Sequence, residues 1–273
     1  MEISPLMASL LAGIDRKDVC IYMDIVQNFY DNMAEHYHKL FLDWQAESQS
    51  QAEFLGKLFA DNGFDKSAKI LDCACGIGTQ AIGLSTLGYD VSASDISESE
   101  LTQARKRAQE NKASISFKQA DFRELEKAFL EKFSIVIAMD NALPHMLTKD
   151  DLASAVESIV SRIEDGGMFV ASIRDYDALL MTKPSYSPPY IHKTEKGRRV
   201  SFQTWDWEGN CYDLTQYIIE DEESLSVNKF SCRYRATTRE ELSNLLFEKG
   251  CSKVTWLLPE ESGFYQPVVV AKK

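Results

Sequence analysis

The sequence predicts an α/β fold built on a doubly wound, mostly parallel sheet of seven strands, and three observations lead to that prediction. Short apolar segments alternate with segments of helical periodicity between residues 66 and 176. A glycine turn follows the first apolar segment directly, in ILDCACGIGT at residues 70–79. Polar residues then stand at the ends of the predicted strands, where open α/β sheets bind their ligands.

Residues 1–65 are predicted to form a helical cap over this sheet. Apolar residues recur there at intervals of three and four between residues 19 and 62, and Asn62-Gly63 is a good helix stop. The core starts at residue 66 with the strand AKILDCACG and the helix TQAIGLSTLG, followed by the strand YDVSASDIS. Ser97 is placed to cap the next helix, with Glu100 three residues on.

The rest of the core is predicted from the same two periodicities. Its third, fourth and fifth strands are SISFKQADF, FSIVIAMDN and MFVASIRD, and the helix DDLASAVESIVSRIEDGG precedes the fifth. The helix TREELSNLLFEKG and the strands CSKVTWLL and QPVVVAKK complete it. The core is therefore expected to comprise residues 66–176 and 237–273.

Residues 177–236 are predicted to be an antiparallel meander inserted into the core, where it binds substrate. Polar and apolar residues alternate from residue 198 to residue 236, and turn signals stand at Glu208-Gly209-Asn210 and around residues 222–224. The aromatic and arginine side chains of this segment suit a small amine or an amino acid.

Composition and charge exclude several classes of function. Charged residues make up 26% of the chain and hydrophobic residues 44%, which predicts a packed globular protein. With 30 Lys and Arg against 42 Asp and Glu, the formal charge of −12 argues against a nucleic-acid partner. The six cysteines show no Cys-x-x-Cys spacing, so no metal site is predicted. No segment has the length of a membrane span and no basic n-region opens the chain, so we expect no membrane partner and a cytoplasmic location.

The polar residues at the strand ends are expected to converge on one crevice, and charge decides which ligand it holds. Gly76 and Gly78 let a ligand approach the backbone closely, but a carboxylate at Asp72 beside them repels a pyrophosphate. S-adenosylmethionine has no phosphate, and its methionine tail carries a positive amine that the carboxylate attracts. Asp95 is placed to accept hydrogen bonds from both ribose hydroxyls, a role that it would play equally for NAD.

Adenine recognition is assigned to the stretch QADFREL after the third strand. The carboxylate of Asp121 would accept from the exocyclic amine, while the amide of Phe122 donates to a ring nitrogen. Two alternatives stay open: Asp121 only caps the following helical turn, and residues 76–81 also satisfy the dinucleotide pattern G-x-G-x-x-A. An NAD-dependent dehydrogenase is therefore the first competing function.

Three stretches in this order, LDCACGIGT, MDNALPHM and IRDYDALL, resemble class I S-adenosylmethionine-dependent methyltransferases, and among them the glycine/sarcosine N-methyltransferase group. The resemblance runs from residue 66 through the final strand. It implies a Rossmann-like methyltransferase fold and methyl transfer from S-adenosylmethionine to a small molecule, with S-adenosylhomocysteine as the product. The implied acceptor is the nitrogen of an amino acid or amine such as glycine or sarcosine. An O- or other small-molecule methyltransferase is the alternative.

The resemblance also implies roles for individual residues around the cofactor. Tyr30 and Tyr37 are similar to tyrosines that close over it, with core packing as the alternative, and Trp44 would flank its ribose or adenine. One departure is Ser50, where related sequences carry an arginine before the Gln-Ala pair that opens the second helical stretch. The complete set of expected cofactor residues is Tyr30, Tyr37, Trp44, Asp72, Gly76, Gly78, Thr79, Asp95, Ile96, Asp121, Phe122 and Asn141.

Asn141, His145 and Arg174 are the implied catalytic residues. Arg174 matches the arginine that holds the carboxylate of an amino-acid substrate, which suits the two parallel donors of a guanidinium; the alternative is a surface ion pair with Asp175 or Asp177. Asn141 and His145 would line the transfer site, where His145 either accepts the proton of the amine or only orients a neighbour. The substrate tyrosines are expected to be Tyr190, Tyr217 and Tyr234.

Two further functions compete. A nucleic-acid methyltransferase is suggested by Asn141-Ala142-Leu143-Pro144, but the second residue is not proline, no aromatic residue follows, and the net charge is wrong. A non-catalytic module that senses the cofactor would bind it tightly and form no product. The sequence predicts no oligomeric state.

Overall fold

The computed structural model describes residues 16–222 and 224–273, with side chains from residue 25 onward. The first fifteen residues of the predicted cap therefore lie outside the described part. Asp43 caps the second helix of the cap by accepting from two of its backbone amides. The described cap consists of helix α1 (Arg16–Met33), a 3-10 turn (Tyr37–Leu40) and helix α2 (Trp44–Asp61).

The chain then builds five strands of a main sheet, joined by helices. The strands are β1 (Lys69–Asp72), β2 (Asp90–Asp95), β3 (Ile115–Gln119), β4 (Phe133–Ala138) and β5 (Ile163–Ser172). Helix α3 (Thr79–Thr86) follows β1, α4 (Glu98–Glu110) follows β2, and α5 (Lys149–Ser161) follows β4. Ser97 caps α4 by accepting from the amide of Glu100, as predicted. Strands β1 and β4 are buried almost throughout, as a parallel sheet covered on both faces requires.

A short helix leads into a second sheet, which is antiparallel. This helix is α6 (Tyr176–Thr182), and the sheet follows with β6 (Tyr190–Lys193), β7 (Arg198–Glu208), β8 (Cys211–Asp221) and β9 (Leu225–Arg235) in that order. The alternation of polar and apolar residues predicted the last three strands. It did not predict β6, because β6 is a short edge strand that is exposed on both faces.

The chain returns to the main sheet in its last segment. This segment consists of α7 (Arg239–Glu248), β10 (Lys253–Leu257), α8 (Pro259–Ser262) and β11 (Val268–Lys272). The strand order is β10-β11-β5-β4-β1-β2-β3, with β11 antiparallel to β5 and β10 and the other pairs parallel. The predicted fold class is thus confirmed. The order reverses between β1 and β4, which makes that edge the point where ligands bind in such sheets.

Side chains on the two faces of the main sheet form two separate cores. Alternation sends Leu71 and Val136 to one face and Ile70 and Ile135 to the other. A third apolar cluster joins the cap to the second sheet. Its members include Val26, Phe29 and Met33 of α1 and Tyr212, Leu214 and Tyr234 of the second sheet. In the part of the chain that the structure describes, no helix is both long and apolar enough to cross a bilayer.

Candidate active site

Two adjoining cavities lie beyond the carboxyl ends of the central strands. The inner cavity, about 70 Å³ in volume, is bounded by the turns that follow β1, β2, β3 and β4. The outer cavity, about 1150 Å³, lies between the cap, the second sheet and the segment that precedes β11. Tyr30, Tyr37 and Asp140 line both cavities. These three side chains therefore mark the junction between the two.

The structure brings most of the predicted cofactor residues to the inner cavity. Those on its wall are Tyr30, Tyr37, Gly76, Thr79, Asp95, Ile96, Asp121 and Phe122. Four predicted cofactor residues do not line it, namely Trp44, Asp72, Gly78 and Asn141. The predicted catalytic residue His145 lines the inner cavity as well.

The two glycines of the turn after β1 have different neighbours. Both have positive φ, +51° at Gly76 and +90° at Gly78, a region that side chains rarely adopt. Gly76 lines the inner cavity, and a Cβ on it would meet nothing nearer than the Oε2 atom of Glu100 at 3.6 Å. A Cβ on Gly78 would lie 2.7 Å from Cδ1 of Ile82. Gly76 thus permits close approach by a ligand, whereas Gly78 permits α3 to pack against the turn.

Asp72 lies behind this turn, fully buried, and not on the cavity wall as expected. Its Oδ1 accepts from the amide of Ala74 at 3.4 Å, while its Oδ2 has no hydrogen-bond partner among the described residues. Burial raises the pKa of Asp72 to about 8, and the nearby carboxylates of Asp95 and Asp140 add to the rise. An ionised carboxylate without a partner is unfavourable when buried, so a positive charge nearby would stabilise the ionised form of Asp72.

Asp95 and Asp121 line the inner cavity, and both already have partners. Asp95 accepts from the amides of Gly76 at 2.8 Å and Ser97 at 3.0 Å, one on each oxygen, so each oxygen keeps a lone pair for a ribose hydroxyl. Asp121 accepts from the backbone amide of Arg123 at 2.8 Å and from its guanidinium at 2.7 and 2.9 Å. The capping alternative is therefore observed for Asp121, and its predicted contact with adenine competes with an ion pair.

The charge of the inner cavity is one-sided. Among the described residues on its wall, three are aspartates, Asp95, Asp121 and Asp140, and none is Lys or Arg. A pyrophosphate finds no counter-charge there, whereas the sulfonium and ammonium of S-adenosylmethionine do. Buried acceptor atoms without partners belong to Asp72 and Glu100, which lie beside the same turn. The residues present thus fit S-adenosylmethionine better than NAD.

His145 is buried in the wall of the inner cavity, next to Tyr30 at the junction. Its Nε2 shares a hydrogen bond of 2.8 Å with the hydroxyl of Tyr30, and its ring centroid lies 4.2 Å from that of Tyr234. Burial lowers the pKa of His145 to about 3, and the charge of Arg174 contributes to the shift. So weak a base does not take the proton of an ammonium at neutral pH. Of the two roles considered for His145, the structure favours the orientation of Tyr30.

Arg174 presents a positive charge to the outer cavity. Its Nη1 donates to the hydroxyl of Tyr212 at 2.8 Å and its Nη2 to Oε1 of Gln203 at 2.9 Å. Its backbone amide donates to Oδ1 of Asn141 at 3.1 Å, so Asn141 lines the outer cavity and not the inner one. The Nδ2 of Asn141 is buried and has no hydrogen-bond partner in the part of the chain that the structure describes.

The surface ion pair considered for Arg174 is not observed. Asp175 and Asp177 pair with Arg239 instead, at 3.1 and 3.2 Å. Within residues 25–222 and 224–273, no carboxylate lies within ion-pair distance of Arg174. Its charge is therefore available to a ligand.

The structure corrects one of the three substrate tyrosines. Tyr234 lies in the wall of the outer cavity, and Tyr190 stands at its edge, 64% exposed on β6. Tyr217 does not line the cavity, because it lies at an odd-numbered position of β8; it stacks on Phe202, whose ring centroid is 4.9 Å away and which does line the cavity. The buried face of β8 consists of its even-numbered positions. Tyr212 is the tyrosine of β8 that contacts Arg174, although it lines neither cavity.

The predictions for Trp44 and Ser50 also need correction. The indole of Trp44 donates to Oγ1 of Thr79 at 3.0 Å, so Thr79 stands between it and the inner cavity. Ser50 lines the outer cavity from the middle of α2, so the Gln-Ala pair after it does not open a helix. Arg174 is the sole Lys or Arg among the described residues of the two cavity walls. None of the other wall residues thus replaces the arginine expected at Ser50.

Sequence analysis overlooked Asp140, Tyr212 and Gln203. Asp140 directly precedes Asn141 just after β4. Its position beyond the carboxyl end of a strand could have identified it, because the same criterion predicted Asp95 and Asp121. Nothing in the sequence distinguished Tyr212 and Gln203 from their neighbours, because they depend on which face of the second sheet is buried.

Comparison with known proteins agrees with this geometry. Residues 70–167 match the family model described as a methyltransferase domain. An S-adenosylmethionine-dependent methyltransferase from Clostridium acetobutylicum has a TM-score of 0.68 at 15% identity, over 94% of this chain and 97% of that chain. S-adenosylmethionine-bound CalS10, an amino pentose methyltransferase from Micromonospora echinaspora, has a TM-score of 0.70 at 16% identity, over 82% and 91%. Residues 70–167 thus match a methyltransferase domain, and the chain has the fold of these S-adenosylmethionine-dependent methyltransferases.

Curated relatives that this chain matches are named glycine/sarcosine N-methyltransferases. The protein from Aphanothece halophytica is 28% identical over 158 residues, which are 58% of this chain and 58% of the relative. The protein from Parasynechococcus marenigrum is 27% identical over 154 residues, which are 56% of this chain and 53% of the relative. The chain thus spans little more than half the length of these relatives. The resemblance that the three sequence stretches indicated is confirmed.

Proposed function

We propose that this protein transfers a methyl group from S-adenosylmethionine, held in the inner cavity, to the nitrogen of a small amine that carries a carboxylate, held in the outer cavity. The observation that carries the proposal is Arg174. Its guanidinium faces the outer cavity next to the junction and has no acidic partner among the described residues. An unpaired cation in a partly desolvated site calls for an anionic group on the ligand.

The inner cavity would hold the cofactor with residues that were predicted from the sequence. Asp95 has free lone pairs for the ribose, and Gly76 leaves the backbone open to the methionine portion. When bound, S-adenosylmethionine supplies a methyl group activated by a sulfonium. The cavity of about 70 Å³ is smaller than usual ligand sites, so Tyr30 and Tyr37, which cover it, must shift outward during entry. After their return they would exclude water and align the reacting groups.

Arg174 would fix the carboxylate end of the substrate. Its fork of donors matches a carboxylate in two parallel hydrogen bonds, and Tyr212 and Gln203 hold two of its nitrogens, which sets the plane of the guanidinium. Asn141 accepts from the backbone of Arg174 and points an unpartnered amide nitrogen into buried space. A substrate held in this way would extend its amine toward the junction of the two cavities.

Nitrogen is the preferred acceptor atom for two reasons. The curated relatives are named for N-methylation of glycine and sarcosine. Aromatic side chains also surround the site, and Tyr30, Tyr37 and Tyr234 offer ring faces and hydroxyls to a positively charged amine.

An amino sugar is a second candidate substrate, and the size of the outer cavity favours it. At about 1150 Å³ the cavity is far larger than glycine requires. CalS10, which shares the fold, is described as an amino pentose methyltransferase. A sugar amine without a carboxylate would make no use of the charge of Arg174, and this difference separates the two candidates experimentally.

The test is a methyl-transfer assay that follows S-adenosylhomocysteine formation over a panel of glycine, sarcosine, larger amino acids, amino sugars and small acids without an amine. We expect Arg174→Lys to lower kcat/KM for carboxylate-bearing amines about 10- to 100-fold, mainly through KM, because one ammonium does not reproduce two parallel donors. Arg239→Lys is the matched control, since Arg239 pairs with surface acids in the same region.

The same panel separates the competing functions. An unchanged KM for every amino acid in the Arg174→Lys variant contradicts carboxylate binding at Arg174, and activity confined to amino sugars supports the second candidate. Tight S-adenosylmethionine binding without product on any amine supports a sensor. Thermal stabilisation by NADH but not by S-adenosylmethionine supports a dehydrogenase.

A further inference from the structure

We propose that Asp140 binds the ammonium end of the substrate and accepts its proton, an inference that rests on the proposed function. Asp140 lines both cavities, and among the described residues no other Asp or Glu does so. It therefore stands where the nitrogen of a substrate and the methyl group of a cofactor must meet.

The backbone around Asp140 is held in an unusual conformation. Asp140 and Asn141 have φ of +56° and +68°, and two successive residues of this kind without glycine are uncommon. Ser172 fixes both, because its hydroxyl accepts from the amide of Asp140 at 2.8 Å and its carbonyl accepts from the amide of Asn141 at 3.0 Å. This arrangement directs the two side chains toward the cavities, and such conformations persist where the surrounding structure fixes them, often at functional sites.

The carboxylate of Asp140 has two neutral donors and no cationic partner. Its Oδ1 accepts from the hydroxyl of Tyr265 at 2.6 Å, and its Oδ2 accepts from Nε2 of Gln80 at 2.8 Å. Within residues 25–222 and 224–273, no Lys, Arg or His nitrogen lies at ion-pair distance from it. Each oxygen keeps a lone pair for an N–H donor of a ligand.

Asp140 and Arg174 together present opposite, unpaired charges to the same outer cavity. They do not pair with each other, and Asn141, which follows Asp140 and accepts from the backbone of Arg174, lies between them. A zwitterion satisfies both charges at once, with its carboxylate on Arg174 and its ammonium on Asp140. A simple acid satisfies only Arg174 and brings a second negative charge near Asp140.

The reaction requires a proton acceptor that the other side chains at the junction do not supply. The lone pair of the nitrogen forms the new N–C bond while the C–S bond breaks and its electron pair stays on sulfur, so an ammonium must first lose a proton. That proton goes to an oxygen of Asp140, which becomes neutral. The proton then passes from Asp140 to solvent next to Tyr265, a residue that is 56% exposed. His145 is too weak a base for this task.

The groups that surround Asp140 are acids, phenols and an amide. They are Tyr265 before β11, Tyr37 of the 3-10 turn, Glu47 of α2, Asp72 of β1 and Gln80 of α3. Burial raises the pKa of Asp140, while the hydrogen bonds from Tyr265 and Gln80 oppose the rise. A raised pKa makes the carboxylate a better proton acceptor near neutral pH.

Asp140→Asn tests the proposal, because asparagine keeps the shape and tolerates the left-handed backbone while it removes the charge. In calorimetry on the full chain with S-adenosylhomocysteine present, we expect the variant to bind glycine about 10-fold more weakly and acetate as well as or better than the unmodified protein. In the assay, kcat/KM for the amine should fall about 100-fold at neutral pH and recover as the pH approaches the pKa of the amine. Asp61→Asn, which removes an exposed acid paired with Lys57 at the end of α2, is the control and should change neither glycine or acetate binding nor the pH profile of kcat/KM.

Three outcomes overturn the proposal, and each leaves the proposed function standing. The first is an unchanged pH profile of kcat/KM in an active Asp140→Asn variant. The second is a loss of S-adenosylmethionine affinity as large as the loss of glycine affinity, which would make Asp140 a cofactor residue. The third is equal weakening of glycine and acetate. If the unmodified protein methylates no amine, the proposed function fails, and the ratio of glycine to acetate binding still decides whether Asp140 recognises an ammonium.

Discussion

Alanine substitutions at Gly76 and Gly78 should separate ligand binding from stability. Both residues have left-handed backbone, which costs an L-residue about 1–2 kcal/mol. In Gly78→Ala the new Cβ also lies 2.7 Å from Cδ1 and 3.1 Å from Cγ1 of Ile82, and Ile82 is only 2% exposed and so has little room to move. Overpacking of this kind costs about 1–3 kcal/mol more. Gly76→Ala adds no such clash, since its nearest neighbour lies at 3.6 Å.

The measurements are urea denaturation and S-adenosylmethionine binding on the same two variants. We expect Gly78→Ala to lose about 2–5 kcal/mol of unfolding free energy and Gly76→Ala about 1–2 kcal/mol. Binding should show the reverse order, because Gly76 lines the inner cavity and Gly78 does not. A methyl group at position 76 would occupy the surface on which the ligand lies.

The reasoning is refuted if the two variants lose equal stability, because the contact with Ile82 would then carry no cost. It is also refuted if Gly76→Ala binds S-adenosylmethionine with unchanged affinity. In that case the turn would not touch the ligand at the position that the cavity indicates.

Two more predictions follow from the buried polar groups. Burial raises the folded-state pKa of Asp72 to about 8, above its value in the unfolded chain, so stability from this group is present at low pH and is lost as the pH rises toward 8. Melting temperatures between pH 5 and 9 should therefore fall more steeply for the unmodified protein than for Asp72→Asn; parallel curves would contradict the assignment. Tyr212→Phe removes the hydroxyl that holds Arg174 and should weaken binding of carboxylate substrates about 10-fold, measured as KM, whereas Tyr217→Phe should leave KM unchanged. If the two substitutions change KM equally, the assignment of Tyr212 to the face of β8 that contacts Arg174, and of Tyr217 to the opposite face, is wrong.

The architecture could be predicted from the sequence because its signals are local. The cap of α4 at Ser97 and the strand–turn–helix of residues 70–79 depend on neighbours within a few positions, and the structure has both where they were expected. The same holds for the alternation of strands and helices that indicated a parallel sheet.

The errors in the site arise where distant contacts decide. Both faces of β8 carry large apolar side chains, for example Tyr212 on one and Tyr217 on the other, so alternation alone did not show which face is buried. Arg174 is adjacent to Asp175 in the sequence, yet the carboxylate of Asp175 forms its ion pair with Arg239, which is distant in the sequence. Asp72 was expected on the cavity wall, but the turn that follows it covers its side chain.

The tyrosines shared by the two cavities have a consequence for the order of events in catalysis. Tyr30 and Tyr37 complete the walls of both compartments, so a displacement that admits a nucleoside to one compartment would also disrupt the other. Under the proposed function, we therefore expect the amine to find a complete binding surface only after the nucleoside is enclosed. Initial-rate kinetics should then show a compulsory order in which the larger ligand arrives first and departs last.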